Sequence, residues 1–222
     1  MTVNIPTNYS AILSAAQQLM EDDSQEFKDY IPTALYLAEE ALHRDIDTDG
    51  LAHTTTMQAV LSVATLNKPN DYRYMKDLAY KTSTGTHILE KKTPSYLDVY
   101  WPKETSVGEP KYYADINQSQ IKLAPAPVSA YTVSIHYKRR IPTLTSANPT
   151  NYFTSVTPGP LFFKTMSYLA EFNRNYTLKG SFDNEYIQLV GGVNNEGRQQ
   201  RRDSNDAPMN PEPLLNTLNQ EN

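Results

Sequence analysis

Apolar positions recur at helical spacing near both ends of the chain and at strand spacing in its middle. Tyr9, Ile12, Leu13, Ala16, Leu19 and Met20 share one side of a 3.6-residue repeat, which predicts a helix over 9–20 that Asn8 or Ser10 can cap. Ile31, Leu35, Ala38 and Leu42 predict a second helix over 29–45, with Pro32 in its first turn, pairing antiparallel with the first. That helix is expected to stop at His43-Arg44-Asp45-Ile46-Asp47-Thr48-Asp49-Gly50. There Gly50 can adopt a left-handed conformation, and the aspartates favour turns through hydrogen bonds to nearby backbone.

After Gly50 the period changes to two. Thr54, Thr56 and Gln58 alternate with Met57, Ala59, Leu61 and Val63, and after a turn at 67–70 the run Asp71 to Tyr80 reads as the partner strand. Thr93-Pro94 starts a short helix that ends near Trp101-Pro102. The clearest strands follow: Tyr112, Ala114 and Ile116 face Ile121 and Leu123 across a turn at 117–119. Tyr131, Val133, Ile135 and Tyr137 then alternate strictly with Thr132, Ser134, His136 and Lys138.

Helical spacing returns beyond Pro142. Pro158-Gly159-Pro160 opens a helix over 160–176 with Leu161, Phe162, Met166, Leu169 and Phe172 on one stripe, and Leu178-Lys179-Gly180 is expected to break it. Ser181 can cap a last helix over 181–203, where Asp183 and Glu185 suit the positive end of the dipole. Residues 204–222 are polar and proline-punctuated, with Leu214, Leu215 and Leu218 as their apolar anchors, so they form an extended tail that waits for a partner. The class predicted is α+β. One domain over 1–203 bundles N- and C-terminal helices around an inserted antiparallel β subdomain at about 53–140, and the tail occupies 204–222.

Composition narrows the function. A net charge of -5 disfavours wrapping nucleic acid as the main task. Sixteen tyrosines suit either strands or surfaces that are wet in a monomer and covered in an assembly. With no cysteine there is no disulfide framework and no thiolate chemistry. The N-terminus lacks the basic and apolar regions of a secretion signal and no window reaches a membrane span, so a soluble chain without membrane contact is expected.

The candidate chemistry is sparse. Asp45, Asp47 and Asp49 followed by Gly50 resemble the start of a calcium loop, but the twelfth position is Thr56 where a bidentate carboxylate is needed, and a strand follows where a helix is required. A calcium-regulated binding module on this turn is the alternative function. His43, Asp45, Asp47 and His53 could form a metal cluster but lack a supporting shell, while Asp22-Asp23 and Glu39-Glu40 are adjacent acids of the kind that mark a solvated face. Phosphate loops, nucleophile elbows and zinc motifs are missing, and Gly191-Gly192 lacks the flanks of a dinucleotide fingerprint; an enzyme and a cofactor are not expected. Arg198, Arg201 and Arg202 stand at a helix end just before the tail. They either complement the helix dipole or form a latch for carboxylates of a partner. Lys138-Arg139-Arg140 is a smaller patch, expected as a solvated strand end.

The order of IPTALYLAEEALHRDI, HTTTMQAV, LNKPNDYRYMKDLAY, the YWP corner, AYTVSIHYKRRIPTL and PLFFKTMSYLAEFNRN resembles the head-to-tail adaptor proteins of short-tailed phages over roughly Tyr9 to Asp203. The resemblance implies a virion structural protein, assembled in the host cytoplasm and placed at the head-tail junction. Its copies, twelve by that likeness, would form a ring beneath the portal protein, extend the DNA channel without reading DNA sequence, and join the portal to the tail nozzle. It further implies that the segment from Arg198 to Asn222, with Arg198, Arg201, Arg202, Leu214, Leu215 and Leu218, docks on the portal. A ring requires two different complementary faces on each copy, which tyrosine-rich surfaces can supply.

Overall fold

The computed structural model describes residues 5–103 and 106–205. The chain divides into two compact units, one of residues 1–48 and 144–222 and the other of residues 49–143.

In the first unit, helix α1 spans Tyr9–Met20, capped by the Asn8 side chain, which accepts from the Ala11 amide. Helix α2 spans Gln25–Asp45 and begins a full turn before the expected Asp29, because the Ser24 hydroxyl accepts from the Phe27 amide and caps it there. Pro32 therefore lies in the helix interior, where it deprives the Lys28 carbonyl of its helical donor. The helix closes at Ile46, and Gly50 enters a single 3-10 turn over Asp49–Leu51.

The second unit is built from β1 (Ala52–Ala59), β2 (Thr65–Asn67), β3 (Tyr72–Thr82), β4 (Gly85–Ile88) and β5 (Glu90–Lys91). Helix α3 (Pro94–Tyr100) precedes β6 (Val107–Gly108), β7 (Tyr112–Asp115), β8 (Gln120–Ala124), β9 (Ala126–Pro127) and β10 (Tyr131–Arg139). One antiparallel sheet has the order β1-β10-β3-β4 and a second has the order β2-β8-β7-β5. The pairings β5 with β7 and β6 with β9 are parallel. Two expectations are corrected here. The strands expected as neighbours, β1 and β3, each pair with β10, which lies between them. The alternation expected through Val63 stops with β1 at Ala59, and Leu61 and Val63 are exposed at 54% and 42%.

Both sheets contribute to one core. Val133, Ile135 and Tyr137 of β10 pack with Leu78 and Tyr80 of β3 and with Ile121 and Leu123 of β8. The alternation of β10 holds from Val133 to Tyr137, because that face packs into the core, and it breaks at Lys138, which is also buried beside a shift of register.

The chain then returns to the helical unit. Helix α4 spans Tyr152–Val156 under an Asn151 capping box, α5 spans Pro158–Phe172, and α6 spans Tyr176–Asn205. The break between the last two is not at Gly180 but at 173–175, where Arg174 is left-handed and the Asn175 side chain accepts from the Leu178 amide. Asn175 does the work assigned to Ser181, and Gly180 and Ser181 lie inside a thirty-residue helix. Phe27, Ile31 and Ala34 of α2 meet Phe162, Met166 and Leu169 of α5 and Phe182 of α6 in the helical core.

Candidate functional site

The turn that ends α2 is a buttress for α6. The Tyr186 hydroxyl donates to Asp45 Oδ2 at 2.7 Å, and the Asn194 side chain donates to the Asp45 carbonyl while accepting from the Asp47 amide, both at 2.8 Å. Burial opposes the charge of Asp45, yet donors from Arg44 and Tyr186 hold its carboxyl below the usual range. Burial and the Asp45 carboxylate together push the Tyr186 hydroxyl well above its ordinary value. Gly197 is buried against the same turn.

The three aspartates of the calcium-like turn are directed to separate partners. Asp45 takes Tyr186 and Arg44, Asp47 takes Arg201 at 3.2 Å, and Asp49 takes Lys76. Among the described residues no group of three or more His, Asp or Glu side chains is placed to hold a metal ion. The imidazole of His43 instead packs edge-on against Phe153, with ring centres 4.9 Å apart.

The arginine cluster separates into two roles. Arg201 is tied to the Asp47 carboxylate and carbonyl of its own chain. Arg198 and Arg202 are exposed, Arg198 resting at 3.5 Å on Asn195. Leu214, Leu215 and Leu218 lie outside the described residues.

One acid and one lysine depart from their expected solvated faces. Glu39 is 3% exposed and accepts from the Leu144 amide at 3.1 and 3.2 Å and from the Asn151 side chain at 2.6 Å. Burial, partly offset by these donors, pushes its carboxyl up to about 7. Glu39 thus holds the returning chain against α2, a duty no adjacent-acid pattern reveals. Lys138 is also 3% exposed, with its ammonium 5.5 Å from the centre of the Tyr74 ring.

A feature missed by the sequence reading is a cleft of about 720 Å³ in the β unit. Lys68, Arg73, Lys91 and Arg140 line it from four separate segments, and Asp115 is the one carboxylate among its lining residues. The Lys68 ammonium, almost covered, lies 2.7 Å from Asp115 Oδ1, donates to the Asn117 carbonyl at 2.9 Å and sits 4.6 Å from the centre of the Tyr72 ring. Lys91 reaches Asp115 Oδ2 at 2.5 Å. Burial works against the Asp115 charge, but the two lysines hold its carboxyl below the usual range.

The signal for this cleft is the distribution of charge. Residues 49–143 hold 12 lysines and arginines against 8 aspartates and glutamates, a net charge of +4. The remaining residues hold 8 against 17, a net charge of -9, so the overall -5 is a difference between two units of opposite sign.

An SU10 adaptor protein family model matches residues 7–212. The chain belongs to the SU10 adaptor protein family. It is therefore a phage adaptor, a viral structural protein of the head-to-tail kind, in agreement with the resemblance carried by its sequence. The SU10 adaptor match covers both units, continues through Arg198, Arg201 and Arg202, and ends before Leu214. No curated protein matches the chain. No described helix of this adaptor is long and apolar enough to cross a membrane.

Proposed function

We propose that this adaptor forms a ring below the portal protein, extends the DNA channel and joins the portal to the tail nozzle, with the segment from Arg198 onward docking on the portal. The observation that carries the reading is the division of labour on α6. Tyr186, Asn194 and Arg201 fasten the helix to the turn after α2, while Arg198 and Arg202 stand exposed beside the start of the polar tail. A helix fixed on one side and cationic at its end is a rigid arm, suited to pairing guanidinium groups with carboxylates of a partner. Leu214, Leu215 and Leu218 then supply apolar anchors for the docked segment.

Uncovered apolar surface supports the same reading. Val60 and Leu61 at the tip after β1, and Val99 and Tyr100 on α3, are more than half exposed, as expected of faces that neighbours cover in an assembly. DNA passes through such a ring without sequence-specific contacts. Assembly takes place in the host cytoplasm, and the finished position is the head-tail junction of the virion.

The test uses the portal protein of the same phage, mixed with the full chain and with a chain ending at Asp203, and followed by sedimentation and electron microscopy. The full chain is expected to join the portal as a ring of about twelve copies, a number carried by the family likeness, and the shortened chain to bind more weakly. Equal binding by both would remove the tail from the mechanism.

A further inference from the structure

The β unit is basic and carries a cleft, where the helical unit is acidic. Between α1 and α2 the corner carries Glu21, Asp22, Asp23, Glu26 and Asp29, and the cation Lys28 makes only a loose 3.8 Å pair with Asp23. Four of the five acids are exposed, and Asp22, half-buried, accepts from the Ser24 amide, which fixes the shape of the turn. Facing this charge in sign is the cleft of Lys68, Arg73, Lys91 and Arg140, whose one lining carboxylate already bridges two of its lysines. About 720 Å³ is room for several side chains rather than for a whole domain.

We infer that the acidic α1–α2 corner of one copy docks in the basic cleft of the next copy, and that this contact is the repeating interface between adaptor subunits. The inference rests on the ring reading and names the surfaces that would close it. Each copy has one corner and one cleft, so the contact is heterologous: filling a cleft leaves another corner open, and addition continues until the rotation closes. Complementary potentials steer such an encounter and set its register. Duplex DNA is the competing occupant of a cationic surface, but the cleft already carries a carboxylate at the pair of lysines. A phosphate track would instead require a continuous cationic stripe.

The experiment uses the full chain in sedimentation velocity runs at low and high salt. The wild-type chain is expected to self-associate at low salt and to lose that association as salt rises. Arg73→Glu with Lys91→Glu, and separately Asp22→Lys with Asp23→Lys, are each expected to weaken association roughly tenfold or more. Mixing these two reversed chains is the decisive arm, since the acidified cleft of one now fits the basic corner of the other. Association in the mixture, absent from either chain alone, supports the contact and shows that both variants are folded.

Unchanged association of either reversed chain overturns the inference, as does a mixture that stays monomeric. Loss of binding to a duplex oligonucleotide in the cleft variant, with self-association intact, assigns the cleft to nucleic acid and also overturns it. A wild-type chain that remains monomeric at low salt overturns the contact too, while the ring reading stands or falls separately on the portal experiment.

Discussion

Gly197 lies so close to Asp47 that a Cβ on the glycine would stand 2.9 Å from the Asp47 carbonyl oxygen. That oxygen belongs to the backbone of the turn that also receives Asn194 and Arg201, so it cannot move aside cheaply. Gly197→Ala is therefore expected to destabilise the helical unit by about 1–3 kcal/mol, although alanine is the better helix former. Gly191→Ala and Gly192→Ala are the controls. A Cβ at either position meets nothing within 4 Å, so each should stabilise by roughly 0.5–1 kcal/mol. Urea unfolding of the three variants gives the signs.

Asp183 gathers Lys164 and Lys179 at 2.8 Å each and the Ser167 hydroxyl at 2.7 Å, joining α5 to α6. Burial opposes its charge, but these three donors lower its carboxyl to about 2. A carboxyl held below its unfolded value of about 3.9 adds stability above that pH, and this contribution fades as pH falls toward 2. Asp183→Asn should cost about 1–3 kcal/mol at neutral pH and progressively less on acidification. Circular dichroism melts from pH 7 down to pH 2 check both limbs.

Glu39 has the opposite sign. Its folded carboxyl, at about 7, keeps a proton that the unfolded chain releases above its ordinary value of 4.5. Stability from this group is therefore greatest at low pH and declines as pH rises through that window. Glu39→Gln retains an acceptor for the Leu144 amide and should flatten the slope between pH 5 and 7. Glu39→Ala leaves that amide and Asn151 without their acceptor and should cost on the order of 1–3 kcal/mol throughout. Melting temperature against pH for the two variants separates titration from packing.

Arg201 and Arg198 should behave differently despite lying on the same helix end. Arg201→Ala removes a partly exposed ion pair with Asp47 and is expected to cost only about 0.2–1 kcal/mol. Arg198→Ala with Arg202→Ala should leave the melting temperature unchanged and weaken capture by the portal, as measured in a pull-down with the purified portal ring.

Much of the α+β class was legible because burial imposes periodicity. The alternation from Val133 to Tyr137 and the stripe from Leu161 to Leu169 are signals that the structure keeps. Gly180 misled because a glycine read as a stop is tolerated in a helix whose cap, Asn175, lies further upstream. The pairing of β1 and β3 with β10 rather than with each other is a long-range choice that no local pattern encodes. Glu39 was concealed for a related reason, since its donors lie more than a hundred residues away. The cleft escaped because Lys91 and Arg140 stand far along the chain from Lys68 and Arg73, although counting charge over 49–143 alone would have hinted at it.

The helical unit fastens the two ends of its excursion to itself. Glu39 holds Leu144, and Thr48 meets Tyr152 at 3.1 Å, so the chain is clasped just before it departs and just after it comes home. A clasp of this kind makes whatever lies between exchangeable. Evolution could remodel the intervening strands to suit a new tail, or replace them outright, while the frame that carries the cationic arm keeps folding as before.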